Sequence, residues 1–296
     1  MTPKENPRSE RPTEEEGDRP APSSSVGTYG THFTFDCPST HDSESVVRQI
    51  ADTLWMVKEL TARYRRHSFP WRDFLANVQL ALRDQARALD LCGRRDRFSF
   101  DNRSYAYAMD GYHGGWTGER TIEIPIFQEI VKLRGGASVL EVGNVLSHYS
   151  SFPHVIVDKY ERGRGVINED IVTFDPGEQR FDLVVSISTL EHVGLDEPER
   201  DPSKFDRALA RIRDLLSPGG ECWFSVPLGY NPVVDRHAFS PESAFERYYL
   251  RRENLDNSWR QCAASEVEGV LFGTPYPYAN AVMIGRFGGS GAPSPR

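Results

Sequence analysis

Ser138-Val139-Leu140-Glu141-Val142-Gly143-Asn144-Val145 and Phe181-Asp182-Leu183-Val184-Val185-Ser186-Ile187-Ser188-Thr189-Leu190-Glu191-His192 are two apolar runs of strand length, each ending in a polar, turn-forming group. Between them, Val155-Ile156-Val157 ends on Asp158, and Val166-Ile167 ends on Asn168-Glu169-Asp170. Short unbroken apolar runs mark strands buried on both faces, the usual material of parallel sheets. In open parallel sheets, ligands sit at the carboxyl ends of the strands. Glu141, Asp158, Asp170 and residues 188–192 therefore mark the edge at which function is expected.

The chain around this stretch has 296 residues, 38% of them hydrophobic, enough for one large domain with extensions. The net charge is −8 and no basic stripe stands out, which argues against duplex nucleic acid as a partner. No apolar run reaches the ~18 residues that span a bilayer. Met1-Thr2-Pro3-Lys4-Glu5 opens no apolar signal region, so a cytoplasmic protein with no membrane partner is expected. Cys37, Cys92, Cys222 and Cys262 lie far apart without a C-x-x-C, which speaks against a zinc site or a disulfide framework.

Upstream, residues 1–30 are rich in Pro, Glu, Arg, Ser and Gly and read as a disordered tail. Residues 31–95 read as a helical extension. Val46, Val47, Ile50, Leu54, Val57 and Leu60 recur at helical spacing over 44–66. Phe74, Leu75, Val78, Leu82 and Leu89 do so over 71–91, with Pro70 as the break. The resulting hairpin reads first as a packing extension or lid, and second as a homodimer contact. Residues 96–120 hold Tyr105, Tyr107, Tyr112, His113 and Trp116 among four glycines, a composition suited either to lining a small-molecule pocket or to pinning its own loop. Glu119–Pro125 then leads into a short helix ending near Leu133.

Downstream, Phe205, Leu209, Ile212, Leu215 and Leu216 predict an amphipathic helix over 203–216, and Cys222–Val226 a buried strand. Residues 227–239 read as loop and 240–252 as helix, with strand as the alternative at Tyr248-Tyr249-Leu250. Val267–Phe272 and Ala281–Phe287 alternate as an antiparallel edge pair. Residues 289–296 form a Gly/Pro/Ser tail, and 96–288 the main domain. The expected architecture is α/β, a Rossmann-like, mostly parallel sheet with an antiparallel edge pair, behind the N-terminal helical hairpin.

Three motifs carry a family resemblance. Val139-Leu140-Glu141-Val142-Gly143, Phe181-Asp182-Leu183-Val184 followed by Leu190-Glu191-His192-Val193, and Leu215-Leu216-Ser217-Pro218-Gly219-Gly220 resemble, in order and spacing, the class I S-adenosylmethionine-dependent methyltransferases. Gly143–Tyr149, Val166–Asp170 and Pro227–Pro232 are similar to a bacterial branch often associated with polysaccharide or secondary-metabolite genes. The resemblance implies S-adenosylmethionine as cofactor. Glu141 would accept from its amino end, Gly143 would allow close backbone approach, and Asp158 would accept from the ribose hydroxyls. Asp170 would accept from the adenine amino group, with Ile171 packing on the ring. Asn144 and Ser188 complete the expected cofactor set.

Two departures accompany the resemblance. The family's second and third loop glycines are Val145 and Ser147 here, and the Val142–Val155 connection is too short for the usual helix. His192, just beyond the fourth strand, is the candidate general base, because histidine titrates near working pH. His148, His237, Tyr230 and Tyr276 are secondary catalytic candidates; Tyr107, Trp116, Tyr230 and Tyr276 are the candidate substrate contacts. No acid pair has the pattern of a magnesium site, so no metal is expected. The implied reaction is methyl transfer to oxygen, with nitrogen second, of a small polar acceptor such as a sugar or glycosylated metabolite. A non-catalytic binding protein with a degenerate cofactor loop is the alternative. A nucleotide-dependent dehydrogenase or epimerase ranks last, for want of G-x-G-x-x-G opening a helix.

Overall fold

The computed structural model describes residues 96–109 and 117–288. The tail, the helical hairpin, Tyr112, His113, Trp116 and the last eight residues lie outside them. The described residues build an eight-stranded sheet and a separate two-stranded hairpin. In chain order the elements are β1 (Arg97–Phe100), β2 (Arg103–Ala106), α1 (Arg120–Leu133), β3 (Val139–Val142), β4 (Val155–Val157), β5 (Val166–Ile167), β6 (Phe181–Ile187), α2 (Lys204–Leu215), β7 (Leu216–Pro227), α3 (Pro232–Phe239), β8 (Glu246–Arg252), β9 (Trp259–Cys262) and β10 (Ala281–Gly288).

The large sheet runs β5-β4-β3-β6-β7-β10-β8-β9. β5, β4, β3, β6 and β7 are mutually parallel. β10 is antiparallel to both its neighbours, and β9 is antiparallel to β8. The fold is thus the Rossmann-like α/β architecture expected from the apolar runs. Strand order reverses between β3 and β6: β4 and β5 follow on one side of β3, while β6 and β7 lie on the other. A reversal of this kind opens a crevice at the carboxyl ends of the two central strands.

Alternation along the strands divides the core between the two faces. Leu183, Val185 and Ile187 of β6 pack with Val139, Trp223 and Ile284 beneath α1 (Ile122, Ile126, Phe127, Ile130) and the β1–β2 hairpin. Leu140, Val142, Val184, Cys222, Phe224, Val226 and Met283 pack with Phe205, Leu209 and Ile212 of α2 and with Val234 and Ala238 of α3.

Several boundaries differ from the sequence expectation. The helix ahead of β3 begins at Arg120 and runs through Pro125, because the i, i+4 series Ile122–Ile126–Ile130 carries its buried face across the proline. Residues 232–239, expected as loop, form α3: the Asn231 side chain accepts from the N–H of Val233 and Pro232 takes the first helical position. Residues 246–252 are a strand rather than part of a helix; Tyr248 and Tyr249 face β10 and the ladder continues onto β9. β10 therefore pairs with β7 and β8, and Val267–Phe272 is a turn-rich segment instead of its partner. Residues 97–106, expected as loop, form the β1–β2 hairpin. The β3-to-β4 connection holds only the three-residue 3-10 turn 146–148, in keeping with its length.

Gly143, directly after β3, has φ = 89°, and a Cβ built there would lie 2.2 Å from Oγ1 of Thr189, which follows β6. The two central loops are packed backbone against side chain. Gly143→Ala is expected to lower the unfolding free energy by about 2–4 kcal/mol, from the left-handed backbone and the overpacking together. Urea denaturation measures this; an unchanged midpoint would mean that Thr189 yields freely.

Candidate active site

The loop after β3 is held from below. Glu141 is fully buried, and one carboxylate oxygen accepts from the N–H groups of Val145 (2.9 Å) and Leu146 (2.5 Å). The other faces Nε2 of His154 at 2.8 Å. His154 Nδ1 lies 2.8 Å from the carbonyl oxygen of Phe152, so it donates there. Both imidazole nitrogens thus face acceptors. Burial pulls the His154 pKa down, but the hydrogen bonds to Glu141 and the Phe152 carbonyl outweigh it, and the net shift is upward. The partners of the Glu141 carboxylate are the loop's own donors and His154, and this arrangement shapes a turn that lacks two of the expected glycines.

Asp158 caps the turn after β4: Oδ2 accepts from the N–H of Asn144 (3.1 Å), and Oδ1 from those of Tyr160 (2.8 Å) and Glu161 (2.6 Å). The Asn144 side chain is spent nearby, donating to Glu161 at 2.7 Å, while Nε2 of His148 lies 2.8 Å from the same Glu161 oxygen. Asp170 is ion-paired with Lys204 (2.5 Å) and Lys159 (3.0 Å). Glu197 joins the same two lysines at 2.5 and 2.9 Å. Burial raises the Asp170 pKa, the lysines lower it more, and the group is held below its usual range. Ile171 points into the core beside Val157 and Phe174 rather than toward a ring above the strand ends. Asp170 is thus held by ion pairs and Ile171 by core packing.

At the end of β6 the backbone of Ser188 adopts φ = 37°, and its hydroxyl donates to the buried Glu123 at 2.6 Å. Arg120 binds Glu123 at 2.9 Å and donates to the carbonyl of Ile187 at 3.0 Å. Ser188 is thus fixed by α1. Glu191, 1% exposed, leaves Oε2 without a hydrogen-bond partner, and burial pushes its pKa well above the carboxylate range. Glu119 is also raised by burial and by neighbouring Glu123. This acidic group around Arg120 was not singled out from sequence. Its signal was present: charged Glu119, Arg120 and Glu123 open a helix that is otherwise apolar on that face.

His192 stands at the mouth of the site, its side chain 48% exposed. Its Nδ1 lies 2.5 Å from Oδ2 of Asp196, and the hydroxyl of Tyr230 donates to the same oxygen at 2.6 Å. The His192 and Tyr230 rings meet edge-on at 5.1 Å, and Phe272 meets Tyr230 at 5.2 Å. Tyr230 is delivered by the loop between β7 and α3, where Gly229 (φ = 78°) lies against the backbone of Val270–Phe272. The structure brings His192 and Tyr230 together. It places the others apart. Tyr107 is buried, and its hydroxyl accepts from the N–H of Trp259 at 2.9 Å, so it pins the hairpin side of the core. Tyr276 donates to the carbonyl of Glu253 at 3.1 Å beneath Arg252. His237 pairs with Asp206 on α2 at 3.0 Å. Among the described residues no group of three or more His, Cys, Asp or Glu could hold a metal ion, and no helix is long and apolar enough to cross a membrane.

No family model matches the chain, and no curated protein matches it. Among solved structures it is similar to the N-methyltransferase NodS from Bradyrhizobium japonicum in complex with S-adenosyl-L-homocysteine: 16% identity, 58% of this chain, 91% of that one, TM-score 0.36. It is similar to the sugar N-methyltransferase KedS8 from Streptoalloteichus at 21% identity, over 43% of this chain and 56% of that one, with a TM-score of 0.30. A TehB-like SAM-dependent methyltransferase from Corynebacterium glutamicum aligns at 15% identity over 55% of this chain and 86% of that one, with a TM-score of 0.32.

The His154–Glu141 pair predicts a pH-dependent stability. A histidine whose folded pKa lies above its unfolded value, about 6.5, contributes fully below that value and loses its contribution as pH rises through the folded pKa. Neutral His154, still donating from Nδ1, turns a lone pair toward the buried Glu141 carboxylate. The wild-type unfolding free energy is expected to fall on the order of 1–3 kcal/mol across that window. His154→Gln should lack this component. Denaturation at stepped pH measures it; parallel curves for the two proteins would contradict it.

Proposed function

We propose that this chain is an S-adenosylmethionine-dependent methyltransferase of the cytoplasm. We further propose that its acceptor is a hydroxyl, or in second place an amine, of a small polar molecule such as a sugar or glycosylated metabolite. The observation that carries this reading is His192, a half-exposed imidazole at the carboxyl end of β6, beside the strand-order reversal. Support from sequence comes from the three spaced motifs; the acceptor class rests on the narrower resemblance.

The donor set fits the cofactor in part. A carboxylate offers about four lone-pair positions. Asp158, half-buried with three backbone donors, keeps capacity for a ribose hydroxyl. Glu141 has no such capacity facing outward and is left out of the set. When bound, S-adenosylmethionine supplies an electrophilic methyl group. The chain's own tasks are to hold the acceptor in line and to take its proton. His192 is suited to the second through Nε2, since Nδ1 is tied to Asp196. Tyr230 and Phe272 offer an aromatic wall beside it. The remaining proposed contact, Trp116, and the proposed roles of the N-terminal hairpin as packing extension or dimer contact lie outside the described residues.

A second reading, a binding protein that keeps the fold without catalysis, draws on one observation: Thr189 fills the space against Gly143, where a ligand would otherwise approach the backbone. Turnover of the wild type with S-adenosylmethionine separates the two, and kinetics of His192→Asn then test the base. Removal of a general base typically costs 10²–10⁴-fold in rate. The asparagine variant should lose turnover on that scale while cofactor affinity is retained. A variant that turns over like wild type would show that the base lies elsewhere.

A further inference from the structure

We propose that Asp196 is the positioning residue of His192. It fixes the imidazole as the Nδ1–H tautomer and leaves Nε2 as the proton acceptor, and Tyr230 locks Asp196 in that task. The inference rests on the reading of His192 as the base and adds a residue whose role follows from hydrogen-bond accounting alone.

Nδ1 of His192 has two polar neighbours, Asp196 Oδ2 at 2.5 Å and the Tyr230 hydroxyl at 3.3 Å. The hydroxyl has one proton to give, and it lies 2.6 Å from Asp196 Oδ2. That proton therefore goes to the carboxylate. Burial and the Asp196 charge both raise the Tyr230 pKa, so the proton stays on the phenol. Burial raises the Asp196 pKa, but the hydrogen bonds from His192 and Tyr230 outweigh this and hold the carboxyl ionised. An ionised carboxylate is an acceptor only. The one arrangement that leaves no two acceptors face to face puts a proton on Nδ1, donated to Asp196.

In the neutral ring the lone pair is then on Nε2. Glu191 Oε1 lies 3.5 Å from that nitrogen, longer than an ordinary hydrogen bond, and Glu191 is held toward its neutral form by burial. Arg200 also acts on Asp196 through its charge. The geometry has a local origin. The N–H groups of Leu195 and Asp196 both return to the His192 carbonyl at 3.1 and 3.0 Å, which folds residues 192–196 back and sets the carboxylate against Nδ1.

The test is nitrogen-15 NMR of the full chain with labelled histidine, paired with kinetics. In the wild type, His192 should show a protonated Nδ1 and an unprotonated Nε2 once the ring is neutral; the opposite tautomer overturns the proposal without any variant. In Asp196→Ala no carboxylate faces Nδ1, and the Tyr230 hydroxyl, 3.3 Å from that nitrogen, is left to donate to it, which moves the ring proton to Nε2. The expected result is an inverted tautomer and turnover reduced about 10²–10⁴-fold, with cofactor affinity unchanged. Asp196→Glu should recover part of the rate, and Tyr230→Phe should keep the tautomer. An Asp196→Ala ring that keeps its proton on Nδ1 overturns the proposal. An inverted ring with full turnover upholds the tautomer assignment and overturns His192 as the base, so the two failures are separable.

Discussion

The carboxylate of Glu141 is the constraint on which the site depends. It sits fully buried at the end of the first central strand and accepts two loop N–H groups and the His154 imidazole. Hydrogen bonds to a charged group contribute about 1.5–3 kcal/mol each, and a buried carboxylate without them would be prohibitive. Their convergence makes the short crossover from β3 to β4 workable without a helix. It turns the chain at residues 143–146, brings Gly143 under Thr189, and so ties the loop after β3 to the loop after β6. The half-exposed His192 stands three residues beyond that contact.

The same economy recurs along the edge. Asp158 and Asp170 end their strands as the apolar runs indicated, yet each is first a structural acceptor, of backbone N–H groups in one case and of two lysines in the other. Strand-end acids can therefore serve the fold before they serve any ligand. On the opposite side of the crevice, Arg120 and Glu123 neutralise one another inside the fold and hold Ser188, leaving Glu191 as a buried acid kept toward its neutral form.

What was legible in the sequence follows from this. The five parallel strands were readable because each is an unbroken apolar run ended by a polar turn. The weakness of the β3–β4 crossover was readable from its length. β8 was only half readable, since its tyrosines suit a strand while its charged residues suit a helix, and the choice was made by pairing with the distant β10. α3 hid behind Asn231-Pro232, a pair that serves a turn and a helix start equally well. His192 was singled out because it follows a strand. Asp196 was not, because its contacts with His192 and Tyr230 form only once residues 192–196 fold back and Tyr230 arrives from another loop. Tyr107 shows the converse: an aromatic in a glycine-rich segment can serve the core, and here its hydroxyl accepts from Trp259.

The central proposal is that the carboxyl ends of β3 and β6 take S-adenosylmethionine with Asp158 at its ribose. Isothermal titration of the full chain and of Asp158→Ala with S-adenosylhomocysteine tests it most directly. The account predicts one site per chain, weakened in the variant by about 1.5–3 kcal/mol, the scale of hydrogen bonds to a charged group. No binding to the folded wild type, or equal affinity in a folded variant, would contradict it.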